Sequence, residues 1–164
     1  MSAELALHLS AHFFASIFAG YLIWKIWQKP AASFLAAIAG GVFVDLDHFI
    51  DYYFVFGFDL RWDYFFNGYQ FLKSGKDYIF FHGWEYVLIL FFLLFVFKNK
   101  SAKSVVLGLA LGMFFHLSLD SALNGLPVRS YSIIERAKNN FEAEKLVEPE
   151  RKAEYLLKRQ IIKF

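Results

Sequence analysis

Residues 5–27 carry a single charged side chain, Lys25, in a stretch long enough to cross a bilayer at about 20 residues per crossing. Three more segments share this character. The second opens at Pro30, which suits a first helical position because its missing N–H is not needed there. It stays apolar and small-rich to Val44, which permits close helix packing, and it predicts a helix continuing through His48 toward Asp51. Residues 79–97 form the third segment, and residues 103–124 the fourth. The fourth is closed by Asn124-Gly125-Leu126-Pro127, since Gly and Pro stop helices. A chain that is 58% hydrophobic, with 22 Phe among 164 residues, fits an integral membrane protein better than a soluble domain. The expected fold is all-α: a four-helix membrane bundle over residues 1–127, followed by a charged helical tail over 128–164 that breaks near Glu148-Pro149.

The same numbers exclude several classes. A net charge of +2 makes no case for nucleic acid. Without Cys there is no disulfide, thiolate ligand or cysteine nucleophile. With no basic residue before Lys25, and with Glu4 near the start, no cleaved signal peptide is expected. Residues 52–79 are aromatic, mixed in charge and too long for a simple turn, which predicts an ordered lid or short interfacial helices. Trp24, Trp27, Lys25 and Lys29 read as an interfacial helix end.

Polar residues interrupt the apolar segments in a pattern. Gly40-Gly41-Val42-Phe43-Val44-Asp45-Leu46-Asp47-His48 runs from small apolar residues into two carboxylates and an imidazole, which are expensive in hydrocarbon. His8 and His12 stand four apart, as do His116 and Asp120, so each pair shares a helix face. His82 and Glu85 open the third segment on one face. Counted at about 1.5 Å per residue from the Lys-bearing helix ends, all these groups lie roughly 20–28 Å away. All five histidines therefore fall in one slab near one membrane face.

Neutral imidazole and carboxylate are the ligands of zinc and related ions, and a catalytic zinc commonly takes three protein ligands. Inward-facing His and carboxylates on a helical bundle are also a way to build a two-metal site. The candidate ligands are His8, His12, Asp45, Asp47, His48, His82, His116 and Asp120. Asp120 alternatively orients His116. Glu85, Asp47 or Asp120 is the candidate general base. One or two divalent ions are expected, zinc first and manganese second, acting on a phosphoester or lipid-like substrate met at headgroup depth. The rivals are a metal or proton transporter and a non-catalytic membrane scaffold with an internal polar network. A transporter should carry polar groups across the whole bilayer, whereas the Lys-side halves of the four segments hold little beyond Ser16 and Ser33.

Val44-Asp45-Leu46-Asp47-His48 resembles the D-x-D-H signature of bacterial membrane-bound metal-dependent hydrolases. Gly112-Met113-Phe114-Phe115-His116-Leu117-Ser118-Leu119-Asp120 is similar to their late G-x-x-x-H-x-x-x-D segment. That group is in turn distantly similar to zinc-dependent phospholipases C. The resemblance covers roughly residues 5–126. It implies metal roles for Asp45, Asp47, His48, His116 and Asp120, with His8 or His12 as the early ligand and His82 opening the third span. Val44 stands where the family often has Pro, and Glu85 has no counterpart in its pattern.

The short turns hold five Lys and no acid, which places them in the cytoplasm and the polar slab outside. The tail, with nine Lys/Arg after Asn124 against six Glu, pulls the other way, but long tails count less than short loops.

Overall fold

The computed structural model describes residues 3–162. Every regular element among them is helical, and the one β feature is an isolated antiparallel bridge between Lys76 and Glu142. The order is α1 (Ala3–Trp27), α2 (Pro30–Gly41), a 3₁₀ turn (Phe43–Asp47), α3 (His48–Phe56), α4 (Trp62–Phe66), α5 (Tyr69–Ser74), α6 (Trp84–Val96) and α7 (Lys100–Leu123). A second 3₁₀ turn (Val128–Tyr131), α8 (Ile133–Lys138), α9 (Ala143–Leu146) and α10 (Pro149–Ile161) complete it.

Two helices, over Leu5–Trp27 and Lys100–Leu123, are long and apolar enough to cross a membrane. The number rises to three if Pro30–Gly41 and Phe43–Phe56 are taken as one bent span. Two of the four expected spans therefore differ from their prediction. The helix opened by Pro30 does not run on through His48: it ends at Gly41, where two consecutive glycines weaken it, and a 3₁₀ turn carries the chain to α3. The third segment is helical only from Trp84, because Ile79 takes a positive φ and Gly83 is extended. That leaves a helix of 13 residues, apolar but for Glu85 in its first turn, about 20 Å of helix against about 30 Å of hydrocarbon.

The described residues divide into two compact units. The first runs to Val44 and takes in Phe81–Gly125; the second joins Asp45–Phe80 to the residues from Leu126 onward. In the first unit α7 packs against α2, α1 and α6, and α2 also packs on α1. Glycines set the α2–α7 spacing. A Cβ on Gly40 would meet the Leu109 carbonyl, and one on Gly112 would meet the Ala37 carbonyl and the Gly41 nitrogen. Gly112→Leu is therefore expected to cost at least the upper end of the roughly 1–3 kcal/mol typical of overpacking. Thermal unfolding of the two proteins in the same detergent reads this, and an unchanged midpoint would refute the backbone contact. Asn99 caps α7 by accepting from Ser101 N at 2.7 Å.

The second unit is tied by backbone and side-chain bonds across long sequence distances. Residues 75–77 pair with 141–143: Asp77 N donates to Phe141 O, and Ala143 N to Gly75 O, both at 2.9 Å. α10 docks on α5 through Arg159 Nε, which donates to Leu72 O at 2.9 Å, and through the Tyr155 hydroxyl near Phe71 O. Burial against this surface holds the Tyr155 phenol above its ordinary range. Arg136 is fully buried, its two terminal nitrogens donating to the carbonyls of Ile79 and Ser130. Ser132 caps α8 by accepting from Glu135 N, the first half of an S-x-x-E capping box.

Candidate metal centre

Asp120 sits near the end of α7, and its carboxylate is the point on which four imidazoles close. Helical spacing supplies two of the pairs. His8 and His12 are one turn apart on α1, and His116 is one turn before Asp120 on α7. His82 arrives from the tight turn just ahead of α6, which Gly83 N closes by donating to Phe81 O at 3.1 Å. Asp120 Oδ1 lies 3.3 Å from His8 Nε2 and 3.2 Å from His12 Nε2. Asp120 Oδ2 lies 3.2 Å from His116 Nε2 and 3.7 Å from His82 Nε2. Within each histidine pair the Nε2 atoms nearly touch: 2.8 Å for His8 and His12, 3.0 Å for His82 and His116. The rings of His12 and His116 lie with centroids 4.1 Å apart, so the two pairs share one cluster.

The proton count of this cluster is informative. His116 Nδ1 lies 3.0 Å from the Gly41 carbonyl, which only accepts, so Nδ1 bears the proton. Gly41 is the last residue of α2, and its carbonyl belongs to the terminal set that helical bonding leaves open. In the neutral ring His116 Nε2 is then a bare lone pair directed at a carboxylate oxygen and at another imidazole. A proton on His82 Nε2 relieves the ring–ring contact but not the contact with Oδ2. Protonating both rings of a pair would place two cations about 3 Å apart in a buried site, a repulsion that the single carboxylate has to offset for both pairs at once. A divalent cation satisfies bare Nε2 atoms and carboxylate oxygens together. Ligand atoms about 2.0–2.1 Å from a tetrahedral ion stand roughly 3.3 Å from one another. The Nε2–oxygen separations of His8, His12 and His116, at 3.2–3.3 Å, match this, whereas that of His82 is longer at 3.7 Å and the two ring–ring pairs are closer at 2.8 and 3.0 Å. His8, His12 and Asp120 by themselves offer three converging ligand atoms.

His12, His82, His116 and Asp120 are buried, whereas the His8 side chain keeps 25% of its surface. His8 is therefore the exposed edge of the cluster. The remaining sequence candidates are Asp45, Asp47, His48 and Glu85. Asp45, Asp47 and His48 belong to the second unit, on the first 3₁₀ turn and the opening residue of α3. There Asp45 Oδ1 and His48 Nε2 face each other at 3.5 Å, and Asp47 is buried. Glu85 lies in the first turn of α6, half-buried.

Reading the sequence for side-chain ligands missed the Gly41 carbonyl, which fixes the His116 tautomer. The available signal was the Gly40-Gly41 pair. A Cβ on Gly41 would run into Ser16 Oγ and approach the Gly112 carbonyl, so the backbone has to pass bare at this point. Comparison of the chain with family models, curated proteins and solved structures gives no match.

Proposed function

We propose that this chain is a membrane-bound metal-dependent hydrolase acting on phosphoester or lipid-like substrates at a membrane face. One observation carries the reading: four imidazole Nε2 atoms converge on the Asp120 carboxylate, with the His116 tautomer set by Gly41 so that its lone pair points inward. His8, His12, His82, His116 and Asp120 would hold the ion, zinc or manganese in keeping with an all-nitrogen-and-oxygen donor set. When bound, such an ion supplies Lewis acidity to a phosphoryl or acyl oxygen and activates water near neutral pH.

The chain's own residues do the rest. Gly41 holds His116 in orientation, and α1 and α7 keep their ligands one helical turn apart. Burial keeps bulk water from competing for the donors, while His8 marks the side from which ion and substrate arrive. Glu85 is the proposed proton acceptor for the attacking water. Four membrane spans, an outward-facing site and the kinship with zinc-dependent phospholipases C belong to this reading.

Elemental analysis of the detergent-purified protein tests it. One or two equivalents of zinc or manganese are expected, lost in His116→Ala. A folded parent that takes up no metal when metal is supplied removes the proposal and leaves the scaffold reading. Once an active phosphodiester or phospholipid is found, Glu85→Gln is expected to lower turnover about 10²–10⁴-fold with metal content unchanged. Full activity in that variant would move the base to another residue.

A further inference from the structure

We propose that α3, the turn over residues 57–61 and α4 form a docking face for the interfacial region of the lipid bilayer. Phe49, Tyr53, Phe54, Phe58, Trp62 and Phe66 are all exposed on this segment, Phe58 to 92%. The opposite side of α3 is buried through Asp51 and Tyr52, so the helix has an inner polar anchor and an outer aromatic surface.

The surface is ordered rather than loose. The Tyr52 hydroxyl donates to Asp59 O and accepts from Arg61 N, both at 2.9 Å, which pins the turn that presents Phe58 and Trp62. Gly57 makes this turn possible with a φ of +64° at the end of α3. The rings also brace each other. Phe49 stacks on Phe65 with centroids 4.3 Å apart, Tyr53 meets Phe58 at 4.8 Å, and Trp62 stacks on Phe66 at 5.8 Å.

Two observations choose the bilayer over a protein partner. The first is continuity along the chain: α3 lies within Phe43–Phe56, which together with Pro30–Gly41 is long and apolar enough to count as one bent span, so the face begins on a membrane candidate itself. The second is the make-up of the patch. Trp and Tyr are the residues that favour headgroup depth, and the one cation among them, Arg61, is already paired with Asp63 at 3.1 Å and lies over the Tyr64 ring. Insertion is therefore driven by apolar and aromatic area, not by attraction to anionic lipid, and phosphatidylcholine alone suffices.

The absence of cysteine makes a clean test available. Phe58→Cys and Trp62→Cys in the full-length chain are labelled with an environment-sensitive fluorophore in phosphatidylcholine nanodiscs. Phe14→Cys, exposed on the first membrane candidate α1, serves as reference. Brominated phosphatidylcholine is expected to quench the labels at 58 and 62, and aqueous iodide to leave them largely unaffected. Quenching by iodide at 58 and 62, with the label at 14 quenched by bromolipid, overturns the docking face while leaving the membrane reading intact. Iodide quenching at all three positions overturns both. Protection from both quenchers at 58 and 62 assigns the face to a protein partner or a second copy, and equally overturns the proposal.

Discussion

Asp120→Asn is expected to abolish tight metal binding while leaving α7 in place. The substitution keeps the shape of the side chain but exchanges one acceptor oxygen for a donor. Both oxygens of Asp120 are engaged, Oδ1 by the α1 histidines and Oδ2 by His82 and His116, so no rotamer of Asn serves both pairs. Removing a group that merely orients a ligand costs on the order of 10–100-fold in metal affinity. Removing the donor shared by four imidazoles should cost at least about 100-fold on that scale. The stability effect is separable from the affinity effect. Metal at about 100 times its Kd stabilises the folded state by about 2.7 kcal/mol, so chelator should lower the parent's unfolding midpoint and leave that of Asp120→Asn unchanged. A parent that unfolds identically with and without chelator would mean that protons alone hold the histidines together.

The residues that made this centre visible in the sequence are those whose spacing is local. His8 with His12, and His116 with Asp120, needed only the helical period to be placed on shared faces, and α1 and α7 form over the expected residues. Pro30 and Pro149 open helices where fixed φ and a missing N–H favour it. Relations without a period were not legible. The stop at Gly41 arises where two glycines meet a close approach by Ser16 and Gly112, which is a tertiary fact. Nor does composition reveal that residues 126–162 pack with 45–80 in one unit, because the pairing of 75–77 with 141–143 uses backbone groups common to any sequence. The tail reads as charged and helical in pattern, broken near Glu148-Pro149 and with apolar positions able to pack, and among the described residues its charges are exposed or half-buried. Arg136 is the exception, since a guanidinium can enter a core by donating to carbonyls that no hydrophobic residue would satisfy.

That exception leads to the largest expected loss of stability in the second unit. Ile79 takes a positive φ, a conformation a β-branched residue enters at a cost of about 1–3 kcal/mol. It is held there from both sides of its backbone: its N–H donates to Asp51 Oδ2 at 2.8 Å, and its carbonyl accepts from Arg136 at 2.9 Å. Arg136 also reaches the Ser130 carbonyl at 3.1 Å, while the Ser130 hydroxyl donates to Leu146 O at 2.6 Å. One guanidinium thus joins α8, the 3₁₀ turn before it and the segment that precedes His82 in the chain. Hydrogen bonds from a charged group contribute about 1.5–3 kcal/mol each, and Arg136→Ala loses two of them, leaves buried carbonyls short of donors and opens a cavity. A loss of about 3–5 kcal/mol is expected. Arg136→Lys should recover only part of it, because one ammonium does not reproduce the planar fork that spans both carbonyls. Hydrogen exchange in detergent reads the effect locally: amides of residues 76–80 and 128–146 should lose protection in Arg136→Ala, while those in the middle of α7 keep theirs. Parental protection at Ile79 in that variant would show that its backbone is held without the guanidinium.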